Sequence, residues 1–321
     1  MASVRIIGIG SYLPAQRLST GAAVERIKRA GGEADTSSEW ILRRTGIAER
    51  RMAETLPTVS LAFRASVRAL KQAGLRPKDL NLICVPTITA EERLPITAPE
   101  LQRKLGVSRL GRPAFNISAA CSGFVYGLAV LVPMMRDSPR YQRALLVCAE
   151  RLSRHINWSD RGTAPLFADG AGAVALERTD EDGVGVLAVN IGANGEAGTA
   201  FTLPVQGSIT MDGARVFELA VEAMVCASRE VLAEAKLATT DLAAIVPHQA
   251  NLRIMTAVAK RLGAATDQLI TTIREHGNTS AASIPLALDW AVKQGRIKPG
   301  DLVLTPAFGG GATWGAALIR W

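Results

Sequence analysis

Cysteine and histidine are scarce in this chain: four cysteines and three histidines among 321 residues. The cysteines, Cys84, Cys121, Cys148 and Cys226, never stand in a CxxC pair. That argues against a zinc site, and no metal is expected. Aromatic residues amount to 5%. The lysines and arginines are scattered rather than interleaved with them, so a nucleic-acid platform is missing. The N-terminus, MASVRIIGIG, has no basic start, long apolar stretch or cleavage site of a signal peptide. A reducing, cytoplasmic setting is expected. Low-complexity segments are also lacking. Formal charge is absent from residues 113–135, PAFNISAACSGFVYGLAVLVPMM. Length alone would allow a membrane span. Asn116, Ser118, Ser122 and two prolines interrupt it, and no basic asymmetry flanks it. The expectation is a strand and then a helix buried in a globular core, with no membrane partner.

What is present is a large apolar content, 48%, ample for a sizeable core. The length suggests roughly two domains of about 150 residues. A net charge of +8 suits acidic partners such as phosphorylated cofactors or an acidic protein, or serves solubility alone. Cys84 and Cys148 sit in apolar runs, NLICVP and ALLVCAE, and read as core residues.

The chain repeats one plan. LICVPTIT (82–89), the Cys121 segment, ALLVCAE (144–150) and GAGAVALE (170–177) follow one another in the first half. AAIVPHQAN (243–251), GNTSAASIPLAL, DLVLTPAFGGG (301–311) and WGAALIRW (314–321) do so in the second. Pro86 and Cys121 are 35 positions apart, Pro247 and Ser280 33. Helical periodicity at 59–74 and 214–236 precedes a strand in each half. This alternation predicts an α/β fold with mostly parallel sheets, two of them sandwiching buried helices. The Cys121 helix and the Asn278–Asp289 helix are the expected central pair. The halves are expected to meet in the polar stretch ERTDEDGVG, dividing the chain into 1–178 and 179–321.

Three polar residues stand in segments that otherwise read as buried. Cys121, in NISAACSGF, follows a strand and opens a helix, where unpaired amides and the helix dipole favour a thiolate. Taken alone, it could equally be a buried structural cysteine. His248, in VPHQANLR, lies at the end of a buried strand, where α/β sheets meet ligands; it also reads as a cap or core histidine. Asn278, in HGNTSAAS, would by itself be an ordinary turn residue. The repeat makes its loop the counterpart of the Cys121 loop, so the two should face each other. The remaining histidines are less informative: His155 reads as near-surface, and His276 as orienting the Asn278 turn. FGGGATWG (308–315) puts three glycines after an apolar strand, and its amides could form an oxyanion hole with Cys121. It does not follow dinucleotide-binding spacing.

These segments, with GSYLP (10–14), DTSSEWILRRTGI (35–47), DRGTAPLFADGAGA (160–173) and GRIKPGD (295–301), closely resemble the β-ketoacyl-acyl carrier protein synthase III family of thiolase-fold condensing enzymes. The likeness covers essentially the whole chain. It implies duplicated α/β halves in a five-layered αβαβα sandwich and a homodimer. It implies a Cys121–His248–Asn278 triad, with Gly310 and the Cys121 amide as oxyanion donors. The implied reaction loads an acyl group from coenzyme A onto Cys121. Malonyl-acyl carrier protein then loses carbon dioxide and attacks, initiating fatty acid synthesis; acyl-CoA is a substrate and no cofactor is implied. Trp40 and Arg161 match the pair that stacks on adenine, Thr36 and Arg44 its polar contacts, and Asn251 a pantetheine-lining position. Arg253, Lys260 and Arg261 match the carrier-docking surface.

The chain departs from the family pattern in two segments. MDGARVFE stands where MxGNxVFK is usual, so Ala214 removes a pantetheine contact and Glu218 reverses a docking charge, for which Arg215 could compensate. AEERLPIT puts Leu94 where a phenylalanine closes the partner subunit's acyl pocket, with Arg93 beside it. An alternative is therefore a condensing enzyme or acyltransferase of a specialised pathway, such as secondary metabolism or biotin-precursor synthesis, using a non-acetyl primer. A carboxylate-bearing primer could pair with Arg93.

Overall fold

The computed structural model describes residues 2–321, the side chain of Leu110 aside. Strands β1 (Ser3–Tyr12), β2 (Leu82–Pro86), β3 (Ala114–Ile117), β4 (Arg143–Arg151) and β5 (Asp169–Thr179) form one sheet, in the order β1-β5-β4-β2-β3. Strands β6 (Gly185–Ala193), β7 (Ala244–Ile245), β8 (Leu302–Gly309) and β9 (Thr313–Arg320) form a second, in the order β7-β8-β9-β6. The helices that matter for the site are α1 (Ser38–Thr45), α2 (Thr58–Gln72), α3 (Gly123–Asp137), α4 (Gly213–Glu234), α5 (Leu252–Leu262) and α6 (Ser283–Lys293).

Side-chain alternation along the strands sorts them into layers. On β4, Ala144, Leu146 and Cys148 point into the central core with Phe124, Leu128, Leu131, Ile284 and Leu288 of α3 and α6. Leu145, Val147 and Ala149 point the other way, against Leu61, Ala65 and Ala69 of α2. On β8, Val303 and Ala307 join the central core, while Leu302 and Leu304 face Met224, Val231, Ile254 and Val258 of α4 and α5. The layers therefore run helix, sheet, helix, sheet, helix. Helices α3 and α6 are buried between two sheets, which is why their sequences are apolar nearly all round. The uncharged stretch 113–135 is β3 and α3, and among the described residues no helix is long and apolar enough to cross a membrane.

The sheets are mixed, not mostly parallel. β2 pairs in parallel with β3 and β4, and β7 with β8, but β1–β5, β4–β5, β8–β9 and β6–β9 are antiparallel. The β8–β9 link is a tight hairpin through the glycine run, and a hairpin can join only antiparallel strands. The expected strand at 243–247 pairs regularly only over Ala244–Ile245, although Val246 N and His248 N still donate to Leu304 O and Pro306 O of β8.

The repeat extends to topology: β1-β5-β4-β2 and β6-β9-β8-β7 share order and direction. It extends to single residues as well. Ala120 and Ser280 are both non-glycine residues with positive φ, 44° and 51°. Each opens a single helical turn, 120–122 or 280–282, that feeds α3 or α6. The register places Ala281, not Ser280, opposite Cys121. The turns nearly touch: a Cβ on Gly123 would lie 3.0 Å from that of Ala281.

Candidate active site

A cavity of about 470 Å³ runs inward from a partly exposed mouth at Trp40, Arg44 and Arg161 to Cys121, His248 and Asn278. The three residues singled out in the sequence are thus brought together on one wall system, all buried. Phe167 and Phe201, stacked 6.0 Å apart, also line it.

Cys121 lies in the turn before α3. Burial pushes its thiol up to about 12. A contact from the Ser280 hydroxyl works downward and the charge of Glu150 upward. The expectation of a preformed thiolate is therefore corrected. The dipole and free amides at the helix start are outweighed by removal from water. Burial therefore favours the thiol over the thiolate at Cys121.

His248 follows the short β7 and is fixed from both ends. Its amide donates to Pro306 O (2.9 Å), and its Nδ1 lies 2.7 Å from Ser283 Oγ. Ser283 Oγ already accepts from the Gln249 amide (3.2 Å). With that hydroxyl donating to Nδ1, the ring proton stands on Nε2. Burial pushes His248 down to about 3, so the imidazole is neutral. Asn278 is held in the same manner. Its amide donates to Leu166 O (3.0 Å), and its carbonyl accepts from Ala168 N (2.8 Å). Oδ1 accepts from Ser280 N (2.9 Å). That leaves the Nδ2 hydrogens as donors. The site thus holds a thiol and two neutral donors.

The glycine run reaches the nucleophile through Gly309. A Cβ there would stand 2.7 Å from Cys121 N and 3.1 Å from Ser122 N. Gly310 is the next residue in the hairpin. Gly309→Ala is expected to displace the Cys121 turn. Overpacking of this kind costs about 1–3 kcal/mol, and the misplaced thiol should acylate at least roughly tenfold more slowly. Thermal melting and acylation rate, read together, check this; unchanged values would mean that the turn yields freely.

At the mouth, the guanidinium groups of Arg44 and Arg161 each lie 4.8 Å from the Trp40 ring. Arg161 is also paired with Asp35 (2.6 Å) and Glu33 (3.5 Å). Asn251 lines the cavity as the N-cap of α5, but its side chain is engaged with Arg253 N and Arg44 O. Thr36 is not on the cavity wall. It is 1% exposed, with a hydroxyl that has no hydrogen-bond partner. Ala214, Glu218 and Arg253 border the cavity. Lys260 and Arg261 are exposed at the far end of α5. Arg93 is exposed, and Leu94 is 83% exposed. Among the described residues, no cluster of three or more His, Cys, Asp or Glu could hold a metal ion.

His276 is half-buried beside the Asn278 turn, and burial, aided by the charge of Arg51, pushes it down to about 4. Unfolded, it would titrate near 6.5. The unfolded chain then binds the extra proton between those values. The stability tied to neutral His276 is complete above pH 6.5 and declines as pH falls toward 4. His276→Gln should show a shallower drop in melting temperature between about pH 7 and pH 5. An identical drop would mean that His276 titrates alike in both states.

Sequence reading missed Glu150, Ser280 and Ser283. A lone acidic residue closing the apolar run ALLVCAE was a signal, and Glu150 is fully buried.

Comparison with known proteins places this geometry. The 3-oxoacyl-[acyl-carrier-protein] synthase III pattern matches residues 115–195, and its C-terminal pattern residues 232–321. The chain is 43% identical to a β-ketoacyl-[acyl-carrier-protein] synthase III of Caldanaerobacter subterraneus, covering 98% of this chain and 97% of the relative. It is 44% identical to that of Escherichia coli K12, covering 99% of each. The crystal structure of 3-oxoacyl-[acyl-carrier-protein] synthase III from Aquifex aeolicus superposes with a TM-score of 0.93 at 41% identity, covering 99% of this chain and 100% of the other.

Proposed function

The chain belongs to the β-ketoacyl-[acyl-carrier-protein] synthase III family, and from that premise we propose that it condenses an acyl group from acyl-coenzyme A with malonyl-acyl carrier protein. Carbon dioxide is lost, a 3-ketoacyl thioester forms, and fatty acid synthesis begins. One observation carries the reading of the site: a buried thiol and two neutral hydrogen-bond donors converge in a cavity with a cationic, indole-bearing mouth.

The chemistry follows from those groups. Cys121 Sγ attacks the acyl carbonyl as its proton leaves, and the coenzyme A sulfur departs as a thiol. The oxyanion formed on the way is held by the amides of Cys121 and Gly310. Malonyl thioester then enters, and its carbonyl accepts from His248 Nε2 and Asn278 Nδ2. Loss of carbon dioxide leaves an electron pair that spreads onto that oxygen, where the two donors stabilise it. No base is needed, because the bond to the carboxylate supplies the electrons. The carbanion attacks the acyl-cysteine, Cys121 leaves with the electron pair, and it takes up one proton from solvent to return to the resting thiol. At the mouth, adenine would take the place of one guanidinium against Trp40, and Arg44 and Arg253 suit the phosphates. No resident cofactor takes part.

Arg253, Lys260 and Arg261 along α5 form the proposed docking edge for an acidic carrier, with Glu218 opposing it. A second copy of the chain would cover the exposed Leu94 and receive it at the end of its acyl pocket, in a cytoplasmic homodimer. Leu94 in place of an aromatic also keeps a non-acetyl primer as the second reading. Incubation with a panel of acyl-CoAs, followed by mass spectrometry, should add one acyl mass at Cys121 and name the primer. Sedimentation should give a dimer. No adduct from any acyl-CoA, or full activity as a monomer, would refute the respective claim.

A further inference from the structure

Glu150 ends β4 completely buried. Hydroxyls and an amide surround its carboxylate. Thr89 Oγ1 donates to it at 2.6 Å, Thr87 Oγ1 at 3.3 Å and Ile88 N at 3.2 Å. These belong to the segment following β2. From the other half of the fold, Ser280 Oγ donates at 3.4 Å. Ser280 is the strained residue of the turn before α6, and its amide holds Asn278 Oδ1. The Ser280 hydroxyl pulls the Cys121 thiol down, and the Glu150 charge pushes it up. The residue whose hydroxyl reaches the buried carboxylate is therefore the one whose amide orients the asparagine.

We propose that Glu150 is a positioning residue for the reaction: by holding Ser280 it fixes the Asn278 amide, and by its buried charge it restrains the Cys121 thiol until substrate arrives. The proposal rests on the roles given above to Cys121 and Asn278. A purely structural buried carboxylate would hold the segment 87–89 and nothing else. Glu150 instead bridges that segment to the turn of the opposite half. Its charge is felt by Cys121 and by Cys148 on its own strand, and raises both thiols. Burial, opposed by the hydrogen bonds from Thr89, Ile88, Thr87 and Ser280, holds Glu150 itself up at about 7. The restraint is thus strongest in the ionised form.

The test uses the full chain with Glu150→Gln and Ser280→Ala. Alkylation of Cys121 by iodoacetamide at about pH 8 is followed by peptide mass spectrometry, with the exposed Cys226 as internal control. Glu150→Gln removes a like charge and should speed Cys121 alkylation about tenfold. Ser280→Ala removes a donor to the thiolate and should slow it. In both, malonyl-thioester decarboxylation should lose kcat, by up to about 10²-fold, with KM little changed. Cys226 should react alike throughout. Alkylation rates equal to wild type, or moving in the same direction in both variants, would overturn the proposal. If Glu150→Gln does not fold, Ser280→Ala decides: unchanged alkylation and kcat reject it. Absence of decarboxylation in the wild type would instead reject the assigned reaction, and the alkylation arm would still report on Glu150.

Discussion

Cys121→Ser is expected to remove acyl transfer from the protein. The serine hydroxyl is isosteric and should leave the fold intact. It offers no comparable anion and little nucleophilicity without a strong base. The site holds no such base: burial lowers His248 to about 3, which leaves its imidazole a weak proton acceptor, and its Nδ1 is engaged by Ser283. Acyl-enzyme formation should fall by about 10³-fold or more. The measurement is mass spectrometry of variant and wild type after equal exposure to acyl-CoA. Malonyl decarboxylation gives the contrast, since it uses the two donors and not the sulfur. It should survive in Cys121→Ser. Equal acyl labelling of both proteins would remove Cys121 as the nucleophile.

Asn278→Ala should show the complementary defect. Oδ1 is fixed by the Ser280 amide, so the wild-type side chain presents Nδ2 to the substrate oxygen. Removing one donor from an anion-stabilising pair costs about 10²–10³ in rate. Decarboxylation should fall by that factor while Cys121 still takes an acyl group. The backbone of residue 278 keeps its bonds to Leu166 and Ala168, so the loop should hold its place. Loss of acylation with decarboxylation intact would reverse the roles assigned here.

The layer order and the site were legible in the sequence to different depths. Continuous apolar runs such as ALLVCAE and VLTPAF marked strands covered on both faces, and the matched halves implied that the Cys121 and Asn278 turns would meet. Strand direction was not legible: periodicity reports which face a residue takes, not which way its neighbour runs. Thiol acidity was misjudged because a helix start is visible in sequence, whereas the exclusion of water around Cys121 is assembled from distant segments. The same holds for Glu150 and Thr36. Each looks polar and local, and each is buried by residues far away in the chain.

The two left-handed turns at Ala120 and Ser280 have a consequence for stoichiometry. A chain built from two like halves has two places where a nucleophile could stand, one at the head of each central helix. The second is occupied by Ala281, and its neighbours Asn278 and Ser280 face the thiol of the first. One half has kept the reactive atom, and the other supplies the groups that tend it. On the function proposed above, each polypeptide carries a single acyl group, however symmetric its backbone.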